Sequence, residues 1–142
     1  MNLQDMIGLA KQTAARHGLP PELVCGVCEQ ESSWDSWALR YEPAFRQRYV
    51  APLGLPPTEE IARSISWGLM QVMGETAREA GFDGKFLSAL ADPALGLEFG
   101  CIVLADKFRI ASGDSSRALE FWNGGANPDY AAQVLARAAK YR

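Results

Sequence analysis

Residues 21–33 read PELVCGVCEQESS, and this segment predicts a helix with one apolar face. Pro21 suits the first helical position, where the backbone N–H has no partner within the helix. At roughly 100° per residue, the neighbours within about 60° of Glu31 around the axis are apolar or small: Val24, Val27 and Cys28. Glu22 projects to the opposite side, and Glu29 lies more than a right angle away. Glu31 is therefore the one carboxylate of this segment that shares the apolar face.

A carboxyl group on an apolar face resists ionisation, so we expect the pKa of Glu31 to be raised. A carboxylic acid that stays neutral near neutral pH can serve as a general acid. The alternative is that Glu31 ends the helix and faces solvent, because an unpaired Glu is seldom buried.

The composition indicates one ordinary globular domain, residues 1–142. Hydrophobic residues make up 48 % of the chain and charged residues 22 %, with a net charge of −3. The acidic balance argues against a nucleic-acid partner, which usually requires a basic face. No apolar run has the length of a membrane span, and residues 1–6 do not read as the start of a Sec signal peptide.

The three cysteines, Cys25, Cys28 and Cys101, do not indicate a metal centre. Cys25 and Cys28 form a CxxC pair, but no second pair follows and the single histidine is His17. We expect small buried residues here and no metal or cofactor. A disulfide from Cys101 to Cys25 or Cys28 is left open, because the odd count leaves at least one thiol unpaired.

The chain reads as almost entirely helical, so the predicted class is all-α. Helices are predicted over 3–17, 21–33, a short stretch capped by Thr58, 74–80, a stretch from Asp92-Pro93, and a last stretch from Asn127-Pro128. Residues 36–57 are expected to be an irregular insert, with room for a small hairpin between 41 and 55. No segment alternates over the length of a strand.

Three polar segments do not look like generic core. Residues 66–71, SWGLMQ, place a glycine and an amide around an apolar pair. Residues 121–125, FWNGG, put an indole and an amide beside two glycines, and residues 41–43, YEP, add a carboxylate. An acid, amide groups and aromatic faces together suit a carbohydrate cleft, because sugars offer many hydroxyls and flat apolar faces.

The order and spacing of these pieces resemble the soluble lytic transglycosylase family, whose fold is that of goose-type lysozymes. The matching pieces are Glu31-Ser32, Gly68-Leu69-Met70-Gln71, Thr76-Ala77, Asp92-Pro93 with Gly100, Ala118-Leu119 before Trp122-Asn123-Gly124-Gly125, and Tyr130 to Val134. The resemblance implies a lysozyme-like domain with Glu31 as the catalytic acid and base. It also implies that Gln71 contacts sugar and that Trp122 and Asn123 line the cleft. Further substrate contacts are expected from Ser32, Glu42, Gly68, Met70 and Tyr130. Buried packing is the alternative for Met70, Gln71, Trp122 and Asn123.

The chain departs from the family pattern in two places. Trp122 stands where the family usually has Tyr, and an indole N–H donates but cannot accept a hydrogen bond. The separation from Glu31 to Gly68 is longer than expected for the family by about twenty residues. In this insert, either the stripe of Tyr41, Phe45 and Tyr49 packs on the body, or Arg40 and Glu42 reach the cleft.

By resemblance, the expected partner is the glycan strand of peptidoglycan. Glu31 would cleave the β-1,4 link between N-acetylmuramic acid and N-acetylglucosamine and leave 1,6-anhydro ends, a route that needs one carboxylate. A hydrolytic muramidase with Glu42 as second carboxylate is the first alternative. A non-catalytic glycan-binding module is another. We expect a monomer acting on the bacterial cell wall, in the periplasm or delivered by a phage.

Overall fold

The computed structural model describes every residue from Met1 to Arg142. Eight α-helices and one small sheet account for most of the chain. The helices are α1 (Leu3–Arg16), α2 (Pro21–Ser32), α3 (Pro43–Phe45), α4 (Pro57–Arg63), α5 (Gly74–Glu79), α6 (Pro93–Ile110), α7 (Ser115–Asn123) and α8 (Tyr130–Ala138). The all-α prediction is confirmed.

The helix starts follow local chemistry in most places. Asp92 caps α6 as predicted, because its side chain accepts a hydrogen bond from the N–H of Leu95. The predicted cap at Thr58 is wrong. The short helix α4 begins one residue earlier, at Pro57, and Pro56 occupies the cap position without a side-chain hydrogen bond. Because proline has no backbone N–H that needs a partner in the first turn, the helix begins at Pro57, before Thr58.

Helix α2 lies at the centre of the molecule and packs against α1 and α8. Val24, Val27 and Cys28 have no exposed area, as the apolar face predicts. Gly26 makes the contact with α8 close, since a Cβ atom there would lie 2.7 Å from the carbonyl oxygen of Val134. This packing fixes the end of α2, and with it Glu31, against the last helix of the chain.

The sheet has three antiparallel strands in the order β1 (Leu39–Tyr41), β2 (Ile65–Trp67) and β3 (Val72–Met73). Leu39 pairs with Trp67, and Ser66 pairs with Met73. The insert therefore contributes β1 to a sheet with a distant segment, and no hairpin forms within 41–55. Strands of two or three residues are too short to show alternation in sequence.

The rest of the insert consists of short helical turns. After α3, residues Arg46–Val50 form a π-helical turn and residues Ala51–Leu53 a 3-10 turn. Of the two alternatives for the insert, the packed stripe of Tyr41, Phe45 and Tyr49 does not form, because Tyr41 and Tyr49 are 43 % and 51 % exposed. In this stretch Val50 is buried, and an ion pair of 2.5 Å joins Arg46 to Glu60 of α4. These two contacts attach the insert to the rest of the protein.

Two further features bear on the sequence predictions. None of the helices combines the length and the hydropathy that spanning a membrane requires. Cys25, Cys28 and Cys101 are all buried and free.

Candidate active site

Glu31 lies in the last turn of α2, at one wall of an open cleft of about 600 Å³. Its side chain is half-buried. Burial raises the pKa of Glu31, and three neighbours partly oppose the rise: the Tyr130 hydroxyl, the Trp122 indole and the positive charge of Arg40. Desolvation has the largest effect, so the carboxyl group favours its protonated form more than an ordinary Glu does.

Tyr130 orients this carboxyl group through a hydrogen bond, although Tyr130 itself does not line the cleft. Its hydroxyl donates a hydrogen bond of 2.5 Å to Oε2 of Glu31, and the ring is only 3 % exposed. The expected sugar contact of Tyr130 does not fit this buried position. Tyr130 is the first residue of α8, and its phenol hydroxyl binds Glu31 instead. Trp122, at the position where the family usually has Tyr, has no such hydroxyl.

The insert forms a second part of the cleft wall through Arg40 and Glu42. The Nε atom of Arg40 lies 3.1 Å from Oε1 of Glu42, and the two side chains are 78 % and 37 % exposed. Arg40 lies on β1 opposite Ser66, which also lines the cleft. The insert therefore brings a charged pair to the same cleft as Glu31.

Gln71 lines the cleft, but its side-chain amide already forms hydrogen bonds within the protein. The amide nitrogen donates to the carbonyl oxygens of Ala38 and Gly68 at 3.0 and 2.9 Å, and the amide oxygen accepts from Ser66 Oγ at 2.9 Å. The backbone of Gln71 has a φ of 53°, which is unusual for a residue with a side chain. These bonds hold β1 against the turn at residues 68–71.

Trp122 and Asn123 line the cleft at the end of α7. The Asn123 amide faces the loop that follows. With its oxygen turned to this loop, it accepts hydrogen bonds from the N–H groups of Asn127 and Ala126 at 2.9 and 3.2 Å. Asn123 thus shapes the loop before α8 while one edge of its side chain borders the cleft.

Three predicted substrate contacts besides Tyr130 lie away from the cleft lining. Met70 has no exposed area and packs against Gly100, where a Cβ atom would meet its sulfur at 2.3 Å. Gly68 makes a tight turn with a φ of 73° against the backbone of Leu90. Ser32 lies within hydrogen-bond distance of two carbonyl oxygens, Cys28 at 2.9 Å and Leu69 at 2.8 Å. These residues support the cleft, and burial or backbone bonding explains why they do not form its surface.

The structure also adds cleft residues that the sequence predictions missed. They are Phe45, Ser66, Val72, Met73, Thr76, Val103, Lys107, Phe121 and Ala126. Ser66, Thr76 and Phe121 fall inside or beside the matching motifs, so proximity in sequence was an available signal. Lys107 lies in the last turn of α6, and nothing in the local sequence distinguishes it from a surface lysine. No group of three or more His, Cys, Asp or Glu side chains comes together to hold a metal ion.

The geometry can be compared with known protein families. Residues 8–142 match the family model described as the transglycosylase SLT domain. No curated protein and no solved structure matches the chain. The match covers nearly the whole chain, and it agrees with the all-α fold. The chain therefore belongs to the transglycosylase SLT domain family and is a lysozyme-like enzyme that acts on the glycosidic bonds of peptidoglycan.

Proposed function

We propose that this protein is a lytic transglycosylase that cleaves the β-1,4 bond between N-acetylmuramic acid and N-acetylglucosamine. Protonated Glu31 donates its proton to the glycosidic oxygen, and the C1–O bond to the leaving sugar breaks. The Glu31 carboxylate then takes the proton of the C6 hydroxyl of the muramoyl sugar. The C6 oxygen bonds to C1, which closes a 1,6-anhydro ring and returns Glu31 to its protonated form.

The observation that carries this proposal is the environment of Glu31. A general acid must keep its proton at the working pH and must point at the bond it protonates. Burial raises the pKa of Glu31, and the 2.5 Å hydrogen bond from Tyr130 fixes one carboxyl oxygen. The residue borders an open cleft of about 600 Å³.

The order of the matching motifs favours the anhydro product over a hydrolytic one, because Glu42 lies in the insert, outside those motifs. Most hydrolases of this kind use a second carboxylate, as nucleophile or as base for water. Glu42 borders the same cleft, and its Oε1 lies 3.1 Å from Nε of Arg40. The presence of Glu42 in the cleft is the observation that keeps a hydrolytic muramidase as the second candidate.

The surrounding residues would bind the sugars. We propose that Arg40, Glu42, Trp122 and the free edges of Gln71 and Asn123 contact the glycan, because these side chains border the cleft. Residues 1–142 would act as one peptidoglycan-cleaving domain on the cell wall, with residues 36–57 supplying part of the cleft.

The test is product analysis on purified sacculi. Mass spectrometry of the released muropeptides should find 1,6-anhydromuramoyl ends. Glu31→Gln should lose activity, whereas Glu22→Gln, the same change on the same helix away from the cleft, should retain it. Reducing muramoyl ends would indicate the muramidase. Binding of glycan without any turnover by the wild type would indicate a non-catalytic module.

A further inference from the structure

The charged pair of Arg40 and Glu42 lines the same cleft as the carboxyl group of Glu31. Nε of Arg40 lies 3.1 Å from Oε1 of Glu42, and neither side chain takes part in another ion pair. A guanidinium group has five N–H donors, so this contact leaves donors of Arg40 free. The Arg40 side chain is 78 % exposed, and it can therefore rotate without displacing a packed group.

Hydrogen bonds attach strand β1 and the end of α2 to the same turn, between β2 and β3. The side-chain amide of Gln71 donates a hydrogen bond of 3.0 Å to the carbonyl oxygen of Ala38, directly before β1. In the same turn, the carbonyl oxygen of Leu69 lies 2.8 Å from Oγ of Ser32, the last residue of α2. The backbones of β1 and α2 are therefore fixed relative to each other. Only side-chain rotation can change how close the guanidinium group of β1 comes to the acid of α2.

The positive charge of Arg40 acts on Glu31 in opposition to burial. Burial raises the pKa of Glu31, and the charge of Arg40 partly opposes this rise. The polar groups around Glu31 come from its own helix, from the neighbouring elements and from the cleft wall: Cys28, Tyr130, Trp122, Arg40, Glu42 and Lys107. Among these groups, Arg40 is the cation that a second carboxylate of the cleft holds.

We propose that Glu42 is a positioning residue, which holds the Arg40 guanidinium against itself and so limits how strongly that charge acts on Glu31. This inference rests on the proposed function, because it concerns the residue that donates the proton there. Without Glu42, the guanidinium group is free to approach Glu31 and to stabilise its carboxylate form. Residues 36–57 thus do more than line the cleft, since they set the pH at which the acid loses its proton.

The experiment must separate this role of Glu42 from the direct effect of its negative charge. Loss of that charge favours the carboxylate form of Glu31 even if Arg40 does not move, so both effects lower the pKa of Glu31. The direct effect is the same whether or not Arg40 is present, whereas the effect through Arg40 disappears with the guanidinium group. A double-mutant cycle of Glu42→Gln and Arg40→Gln therefore distinguishes the two.

The measurement is an NMR titration of the isotope-labelled side-chain carboxyl of Glu31 in the free protein, with its signal identified by its loss in Glu31→Gln. We expect Glu42→Gln to move the titration midpoint to lower pH, about twice as far as the same change does in the Arg40→Gln background. The control is Asp106→Asn, which removes the carboxylate from another exposed arginine pair, 2.6 Å from Arg109 and outside the cleft. This control should leave the midpoint of Glu31 unchanged.

A shift from Glu42→Gln that is as large in the Arg40→Gln background as in the wild type would overturn the proposal, because it would leave only the direct charge effect. A midpoint that stays in place in Glu42→Gln would overturn it as well. The titration needs no substrate, so it is independent of the proposed function, which fails if the wild type does not cleave purified sacculi. Where the wild type is active, the alkaline limbs of kcat/KM should follow the order of the midpoints.

Discussion

The hydroxyl of Tyr130 lies 2.5 Å from Oε2 of Glu31, although the two residues are 99 positions apart in the chain. Tyr130 begins α8 and Glu31 lies in the last turn of α2, so the close packing of these two helices sets this distance. The hydrogen bond lowers the pKa of Glu31 against the stronger effect of burial. Tyr130 therefore both aims the acid and limits how far its pKa rises.

Tyr130→Phe should raise the pKa of Glu31 further, because the variant removes a hydrogen bond to the carboxylate form. Activity that depends on protonated Glu31 falls as pH rises through this pKa, so the alkaline limb of kcat/KM should move to higher pH. The rate on the plateau should fall about tenfold, since the carboxyl group loses its orientation. The full pH–rate profile on soluble glycan measures both effects.

Tyr141→Phe is the matched control for that profile. Tyr141 also donates its hydroxyl to a carboxylate of α2, but the acceptor is Glu29 on another side of the helix. This variant should reduce stability without moving the alkaline limb. A limb that moves equally in both variants would contradict the specific role of Tyr130.

Val27→Thr should shift the alkaline limb in the opposite direction. Val27 has no exposed area and lies on the face of α2 that carries Glu31. A hydroxyl there makes the surroundings less apolar at similar volume, so the pKa of Glu31 should fall and the limb should move to lower pH. If the limb stays in place while the fold is intact by circular dichroism, burial against this wall does not set the pKa.

Glu31→Gln should make the protein more stable near neutral pH. A pKa raised in the folded state means that the folded protein binds the proton more tightly than the unfolded chain does. The contribution of Glu31 to stability is therefore complete below the ordinary Glu pKa of 4.5. It is lost as the pH rises through the pKa that Glu31 has in the folded protein. Thermal unfolding should give a higher Tm for the variant at pH 7 and similar values at pH 4.

The sequence predicted those parts of the fold that local signals determine. The apolar face of α2 and the Asp92 cap of α6 can be read within one or two helical turns. The start of α7 carries a local signal of the same kind, since Asp114 accepts a hydrogen bond from the N–H of Arg117.

The remaining features depend on contacts between distant segments. The pairing of Leu39 with Trp67 involves strands too short to show a period. The bond from Tyr130 to Glu31 depends on the packing of α2 against α8, which neither local sequence encodes. The burial of Met70 has the same origin, because it depends on Gly100 of α6 leaving space for its side chain.

Glu29→Gln should destabilise the protein, in contrast to Glu31→Gln two residues away. Burial opposes ionisation of Glu29, but hydrogen bonds from Lys140, Tyr141 and Arg137 outweigh it and lower the pKa to about 2. A lowered pKa contributes stability above the ordinary value of 4.5 that is lost as pH falls toward 2. After allowance for solvent screening, we expect a loss of about 1–2 kcal/mol at pH 7. Urea unfolding at pH 7 and pH 3 should show the difference between wild type and variant shrinking as pH falls.

Glu42→Gln distinguishes the two candidate reactions. If Glu31 acts alone, the variant keeps the anhydro product and loses only a contact at the cleft wall, so KM should rise a few-fold with kcat nearly unchanged. If Glu42 is a second catalytic carboxylate, kcat should fall by at least about 10²-fold, as it should in Glu31→Gln. We expect the first result, because Glu42 lies in the insert, outside the motifs that match the family. Arg40→Gln is the companion variant, and it leaves Glu42 without its ion-pair partner. It also removes a positive charge that lowers the pKa of Glu31, so the alkaline limb of kcat/KM should move to higher pH. A loss of kcat in Glu42→Gln as large as in Glu31→Gln would show that the insert supplies part of the chemistry.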